Sequence, residues 1–161
     1  ALATSHNNLE DIKAQLKNQT IGHDKVNQLR HVRFFGDIHG MVEHMRKHAD
    51  IIRPKFEAVE EILERELGGL GIGEWTQPKG GYFISFDSLD GCAKDIVARC
   101  KKAGVVMTPA GATYPYGKDP QDSNIRIAPT YPPLGDLITA SELFALCVKL
   151  SSVEKLLKGM D

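Results

Sequence analysis

Apolar residues recur at steps of three and four from Met41 through Met45, Ala49, Ile52, Phe56, Val59 and Leu63 to Leu67. That spacing is the stripe of one helix face, and it predicts a single long helix from Ile38 to Leu67. Pro54 sits inside the run, where it removes a backbone donor and crowds the carbonyl one turn earlier, so a kink or a break into two helices is expected. The glycines of GGLGIG, residues 68–73, end the helix. Nearer the start, Leu9, Ile12 and Leu16 mark a shorter amphipathic helix from about Asn7 to Lys17, with Thr4 or Ser5 as its N-cap. The stretch between the two, NQTIGHDKVNQLRHVRFFG, is mixed: Gly22 and Asp24 punctuate it, and Val26 and Leu29 offer the start of another helix. It has no core of its own, and reads either as an arm that packs on a partner domain or subunit or as a surface loop region.

After the long helix the period changes. YFISF, Tyr82 to Phe86, is a strand candidate entered through Gly80 and Gly81. Residues 88–103 read as a helix with Cys92, Ile96 and Cys100 on one face and Gly104 as its C-terminal glycine. Val105 to Thr108 is a second strand candidate, stopped by Pro109, and Ile125 to Ala128 a third. A closing helix is expected from Leu137 to Leu157, with Leu143, Leu146, Leu150, Val153 and Leu157 turned inward. Strands alternating with helices predict an α/β unit, in detail an α+β sandwich: a small, mostly three-stranded sheet covered by helices, preceded by the kinked helix and the helical arm. The boundary falls near Asp50, giving an arm and helix start over 1–49 that belongs to or packs on a large domain, and a small C-terminal domain over 50–161.

Composition narrows the class. With 161 residues, 42% of them hydrophobic, the chain can bury one ordinary core, or one core and an arm that leans on something else. A net charge of −1 and no Lys/Arg stripe argue against nucleic acid as a partner, and no run of about 18 apolar residues is available to span a bilayer. Cys92, Cys100 and Cys147 are odd in number, lack paired-ligand spacing and occupy apolar positions of helical patterns, so reduced core thiols and a cytoplasmic location are expected. The opening ALATSHNNLEDIK has neither an initiator Met nor the basic and apolar regions of a secretory leader, and reads as the edge of a cut piece. His44 and His48 have the four-residue spacing of a metal edge, but no further ligand follows at a sensible distance, so a solvated helix face is expected and no metal.

The candidate chemistry lies in NIRIAP, residues 124–129. On a strand, Ile125 and Ile127 point to one face and Asn124, Arg126 and Ala128 to the other. With the isoleucines on the helices, Arg126 looks to the opposite side. Two readings stay open on these residues alone: a solvated or ion-paired strand arginine, or a planar fork presented to a carboxylate or phosphate. The Gly- and Pro-rich excursion from Thr108 to Thr130 that delivers the chain to Arg126 favours function, because loops of that length in a compact domain usually bind something or move.

The order PKGGYFISFD (78–87), a helix, GVVMTPAGATYPYG (104–117) and DSNIRIAPTYP (122–132) resembles the C-terminal small domain of fold-type I pyridoxal-phosphate aminotransferases. IGHDKVNQLRHVRFF together with the last two motifs resembles the MocR-related aspartate aminotransferase subgroup. The resemblance covers essentially the whole chain. It implies that Arg126 grips the α-carboxylate of an amino or keto acid substrate, that the parent uses pyridoxal 5′-phosphate and carries out aspartate-type transamination, and that it is a homodimer. The Schiff-base lysine, the aspartate that pairs with the pyridine nitrogen and the phosphate cup of that family precede the matched region. Lys25 and Lys79 lack a Schiff-base context, so this segment is expected to hold no cofactor, to contain no catalytic residue and to be inactive without a large N-terminal domain. The resemblance also makes Asn27, Gln28 and Arg30 interface or cross-site candidates, against a plain polar helix surface. Tyr114 and Tyr116 line the cleft mouth in one reading and anchor the loop in the other. An alternative from another class is a free-standing, non-catalytic α/β module that binds a small carboxylate ligand through Arg126.

Overall fold

In a computed structural model, which describes residues 3–20 and 22–159, the chain divides into two units, residues 1–47 and 48–161. The first contains helix α1 (His6–Thr20), helix α2 (Lys25–Phe35) and the start of α3 (Ile38–Leu67). Side chains cap these helices. The Asp24 carboxylate accepts the Asn27 N–H at 2.9 Å, and Asp37 accepts that of Gly40 at 3.0 Å, which satisfies donors that a helix start leaves open. Neither α1 nor α2 buries a residue. Val26, Val32 and Phe34 are exposed, as are Met41 and Met45 at the head of the long apolar stripe; the unit's ring contacts include Phe34 and Phe35 with each other and with His44, and Phe35 with His31.

The second unit holds the core. Helix α3 runs unbroken through Pro54 to Leu67 and buries Phe56, Val59, Ile62, Leu63 and Leu67. Then come β1 (Gly73–Trp75), β2 (Ile84–Ser88), α4 (Ala93–Lys102), β3 (Asn124–Ile127) and α5 (Leu134–Lys158). The sheet is antiparallel in the order β1-β2-β3, with Trp75 opposite Phe86, Ile125 opposite Phe86, and Arg126 opposite Ser85. Alternation sends Ile84, Phe86, Ile125 and Ile127 into one cluster with side chains of α3, α4 and α5. At its centre Phe86 stacks on Trp75 and meets Phe144 edge-on at 5.0 Å. The architecture is the expected α+β one, a three-stranded sheet with helices.

Several details differ from the sequence reading: α3 is not broken at Pro54, the strand expected over Tyr82 to Phe86 is Ile84–Ser88, and the helix expected over 88–103 is Ala93–Lys102. Val105 to Thr108 is not a strand; the third strand is Gly73–Trp75. The glycine run that ends α3 conceals it, and Gly73 belongs there because a Cβ at that position would collide with the Phe86 ring. The closing helix is also rotated relative to expectation. Leu146, Leu150, Val153 and Leu157 are exposed, while Leu137, Ser141, Phe144, Ala145, Cys147, Val148, Ser151 and Ser152 face the core. Helix α5 lies against α4, and small side chains allow that close approach where a row of leucines would hold the helices apart. All three cysteines are buried and unbridged. Burial, reinforced by neighbouring Cys147, pushes the Cys100 thiol up to about 12.

Candidate functional site around Arg126

The strand β3 fixes where Arg126 projects. Its neighbours on β2 are Ser85, directly opposite, and Asp87, opposite Asn124. Residues 108–123 return to this side of the sheet: the Thr113 hydroxyl donates to the Asn124 side-chain oxygen at 2.6 Å, and Thr108 reaches Arg126. The loop is tight where Gly111 (φ 83°) faces the Gly117 carbonyl, leaving no room for a Cβ.

Asn124 is buried, and its amide group donates to Ser85 Oγ at 2.9 Å and to Asp87 Oδ1 at 2.7 Å. With Thr113 as donor it therefore uses both its acceptor and its amide hydrogens, tying β3, β2 and the loop together two residues before Arg126. Asp119 ties the approach to the strand. Its carboxylate accepts backbone N–H bonds from Gln121 at 3.0 Å and from Ser123 and Asn124 at 2.8 Å. The bond from Asn124 N–H is the largest influence that holds the Asp119 carboxyl below the usual carboxylate range; partial burial opposes it and the Ser123 and Gln121 bonds add to it.

Arg126 itself is half-buried and sparingly bonded. Its guanidinium carbon lies 4.5 Å from the centroid of the Phe83 ring, a cation–π arrangement that sets the plane of the fork. Nη2 makes a long contact, 3.5 Å, to Thr108 Oγ1, and the Nε–H is buried without an acceptor among the described residues. A guanidinium carries five donors, and a buried donor left unmade costs free energy. The side chain is thus held by an aromatic face while most of its hydrogen-bonding capacity is unspent.

Arg126 borders a cleft of about 280 Å³. Val105, Met107 and Thr108 form one wall; Tyr131, Pro132 and Leu137 contribute another. Among the described residues lining it Arg126 is the one basic side chain, and no lysine is present. Lys79 lies elsewhere, beside a second cleft with Arg53, Glu57 and Glu60. The residues here do not by themselves fit a pyridoxal cofactor, whose aldehyde requires a lysine amine.

Of the other candidates, Tyr114 is half-buried and Tyr116 is 97% exposed in a left-handed conformation (φ 59°); neither borders the Arg126 cleft, whereas Tyr131 does. Asn27 and Gln28 are exposed on α2 in the first unit, where the Asn27 carbonyl contacts His31 Nδ1 at 2.7 Å. Among the described residues no group of three or more His, Cys, Asp or Glu side chains is arranged to hold a metal, and no described helix is long and apolar enough to cross a membrane. Strand alternation puts Asn124 on the Arg126 side, but the sequence alone assigns it no role, and it passes over Phe83, Thr108 and Asp119. Phe83 is within its reach, since alternation along β2 puts residue 83 on the side of Ser85; Thr108 and Asp119 depend on how the loop folds back.

The same architecture recurs in solved structures. The crystal structure of an aspartate transaminase from Corynebacterium glutamicum superposes with a TM-score of 0.85 at 43% identity, covering 94% of this chain and 36% of that one. Fold and match together define the class: an aminotransferase domain of fold type I. More particularly, the sequence profile of the aspartate amino-transferase family matches residues 1–160, and the chain belongs to that family. Two relatives agree. A Mycolicibacterium smegmatis protein assigned as an aminotransferase is 53% identical over 139 residues, which is 86% of this chain and 32% of that protein. The aspartate aminotransferase of Corynebacterium glutamicum is 46% identical over 134 residues, 83% of this chain and 31% of the relative. The chain thus spans roughly a third of the length of the proteins it matches.

Proposed function

We propose that this chain is the carboxylate-binding C-terminal part of a pyridoxal-phosphate-dependent aminotransferase of the aspartate type, and that Arg126 receives the α-carboxylate of the amino and keto acid substrates. The observation that carries this reading is the state of the Arg126 side chain: positioned by Phe83, bordering a cleft, and with a buried Nε–H that has no acceptor among the described residues. A carboxylate bound to such a fork gains two parallel, charge-assisted bonds and a defined orientation. Pyridoxal phosphate, when bound in the whole enzyme, supplies the electron sink for breaking a bond at the α-carbon. The lysine and phosphate cradle it needs belong, in this proposal, to the two thirds of the relatives' length that this chain does not span. Arg126 accordingly binds and orients; proton transfer falls to residues outside this chain, and the chain alone is inactive. Asn27, Gln28 and the exposed apolar residues of the first unit serve the large domain or the second subunit of a homodimer in the same reading.

The test is Arg126→Ala and Arg126→Lys in the full-length polypeptide that carries this segment. Loss of a charged, bidentate contact is worth about 1.5–3 kcal/mol, which corresponds to a rise of roughly ten- to a hundredfold in KM for both the amino and the keto acid. Lysine, which keeps the charge but not the fork, recovers only part of it. Unchanged KM values for both substrates in Arg126→Ala would refute the assignment.

A further inference from the structure

The turn that leaves β3, APTYPP over residues 128–133, contains three prolines. Proline has no N–H, so the turn has few donors for its own carbonyls. They are supplied from α3: Lys55 Nζ donates to the carbonyls of Thr130 and Pro132, both at 2.7 Å, from 75 and 77 positions away in sequence. Both bonds are charge-assisted and short, and among the described residues Lys55 takes part in no ion pair. The carbonyls it holds flank Tyr131 on either side. Tyr131 borders the Arg126 cleft and is 95% exposed, so few contacts of its own fix it there.

We infer that Lys55 is a positioning residue: by pinning the backbone on both sides of residue 131 it holds Tyr131 at the edge of the cleft, where the ring packs on the substrate whose carboxylate Arg126 receives. The inference rests on the carboxylate reading of Arg126 and deepens it. A lysine whose two bonds only closed a turn would influence stability alone. Here the pinned stretch is itself a cleft wall, joined on one side to the strand that bears Arg126 and on the other, through Pro133 at the N-cap, to helix α5, which contributes Leu137.

The experiment uses the full-length polypeptide, with L-aspartate and 2-oxoglutarate as probes, and measures KM, kcat and Tm for Lys55→Met, Lys55→Arg, Tyr131→Ala and the Lys55→Met/Tyr131→Ala double variant. Lys55→Met is expected to raise KM for both probes three- to tenfold with kcat within twofold, Lys55→Arg to stay within twofold of wild type, and Tyr131→Ala to match Lys55→Met. The double variant is expected to be no worse than either single one, because both remove one element. A lowered Tm with unchanged KM in Lys55→Met would make the lysine merely structural and overturn the inference, as would additive effects in the double variant. Should Lys55→Met fail to fold, Lys55→Gln, which keeps a donor without the charge, takes its place under the same criteria. Arg126→Ala run alongside separates the two claims: if it alone raises KM, the carboxylate reading stands and the Lys55 inference falls; if it leaves KM unchanged, both fall.

Discussion

Asn124 offers a sharp stability test, since one buried side chain holds β2, β3 and the loop before Arg126. Its three hydrogen bonds, at 2.6, 2.7 and 2.9 Å, have partners of unequal exposure: Thr113 and Asp87 are exposed and Ser85 half-buried. In Asn124→Ala water can reach the exposed partners, so the cost falls below the sum of three bonds. At about 1 kcal/mol net for each bond, less this rehydration, the loss should come to about 2 kcal/mol. For a chain of this size that is a drop of about 4–8 °C in Tm. Asn124→Asp should be worse at neutral pH. A carboxylate cannot donate to Asp87, and two carboxylates in hydrogen-bond contact repel, which raises the pKa at which the pair takes up a proton. A raised pKa in the folded state means that the folded variant holds more protons than the unfolded one. Stability therefore falls as pH rises through that pKa, and the deficit is fully present above it. On acidification one proton is shared between the two groups and the deficit relative to wild type shrinks. Urea unfolding followed by far-UV circular dichroism, from pH 7.5 to pH 5, measures both effects. A loss under 0.5 kcal/mol in Asn124→Ala, or an Asn124→Asp deficit that grows on acidification, would refute the account of this network.

Two further perturbations address the core. Gly73→Ala should cost about 1–3 kcal/mol, because the new methyl meets the Phe86 ring at the centre of the core and the backbone of β1 must shift; chemical denaturation measures it, and wild-type stability would show that β1 has room to spare. The Cys100 thiol, pushed up to about 12 by burial and by Cys147, holds almost no thiolate at pH 8. Iodoacetamide followed by mass spectrometry should leave it unmodified in the native chain and alkylate it within minutes in 6 M guanidinium; rapid native labelling would contradict the burial.

The elements that sequence exposes well are those whose signal is local and repeated. The 3.6-residue stripe marked α3 over the range Ile38–Leu67 that the structure gives it, and the two isoleucines of NIRI announced a core-facing strand in β3. Strand β1 failed the same test. It is three residues long, begins with a glycine, and exists because Phe86 needs an uncluttered neighbour, a requirement set by a residue 13 positions away. The site shows the same division. Arg126 stands out because a charge between isoleucines breaks a pattern, whereas Lys55 looks like any helix-surface lysine until the turn 75 positions later comes to rest on it.

Helix α5 shows why the direction of a face can be misread while the helix itself is found. Leucine and valine occupy Leu146, Leu150, Val153 and Leu157 at helical spacing, and taken alone that row predicts the buried side. The opposite row, with Ser141, Ala145, Val148 and Ser152, is less hydrophobic residue by residue, yet it is the buried one. What decides is distance: α4 and α5 approach closely over Cys100 and Cys147, and only small side chains fit between them. A helix that is apolar on two sides is patterned for two neighbours, and hydrophobicity cannot say which of them lies in the same domain. Side-chain volume can. The row of small residues marks the face that another helix must approach, and read in that way the sequence of α5 already contained the orientation that the leucines concealed.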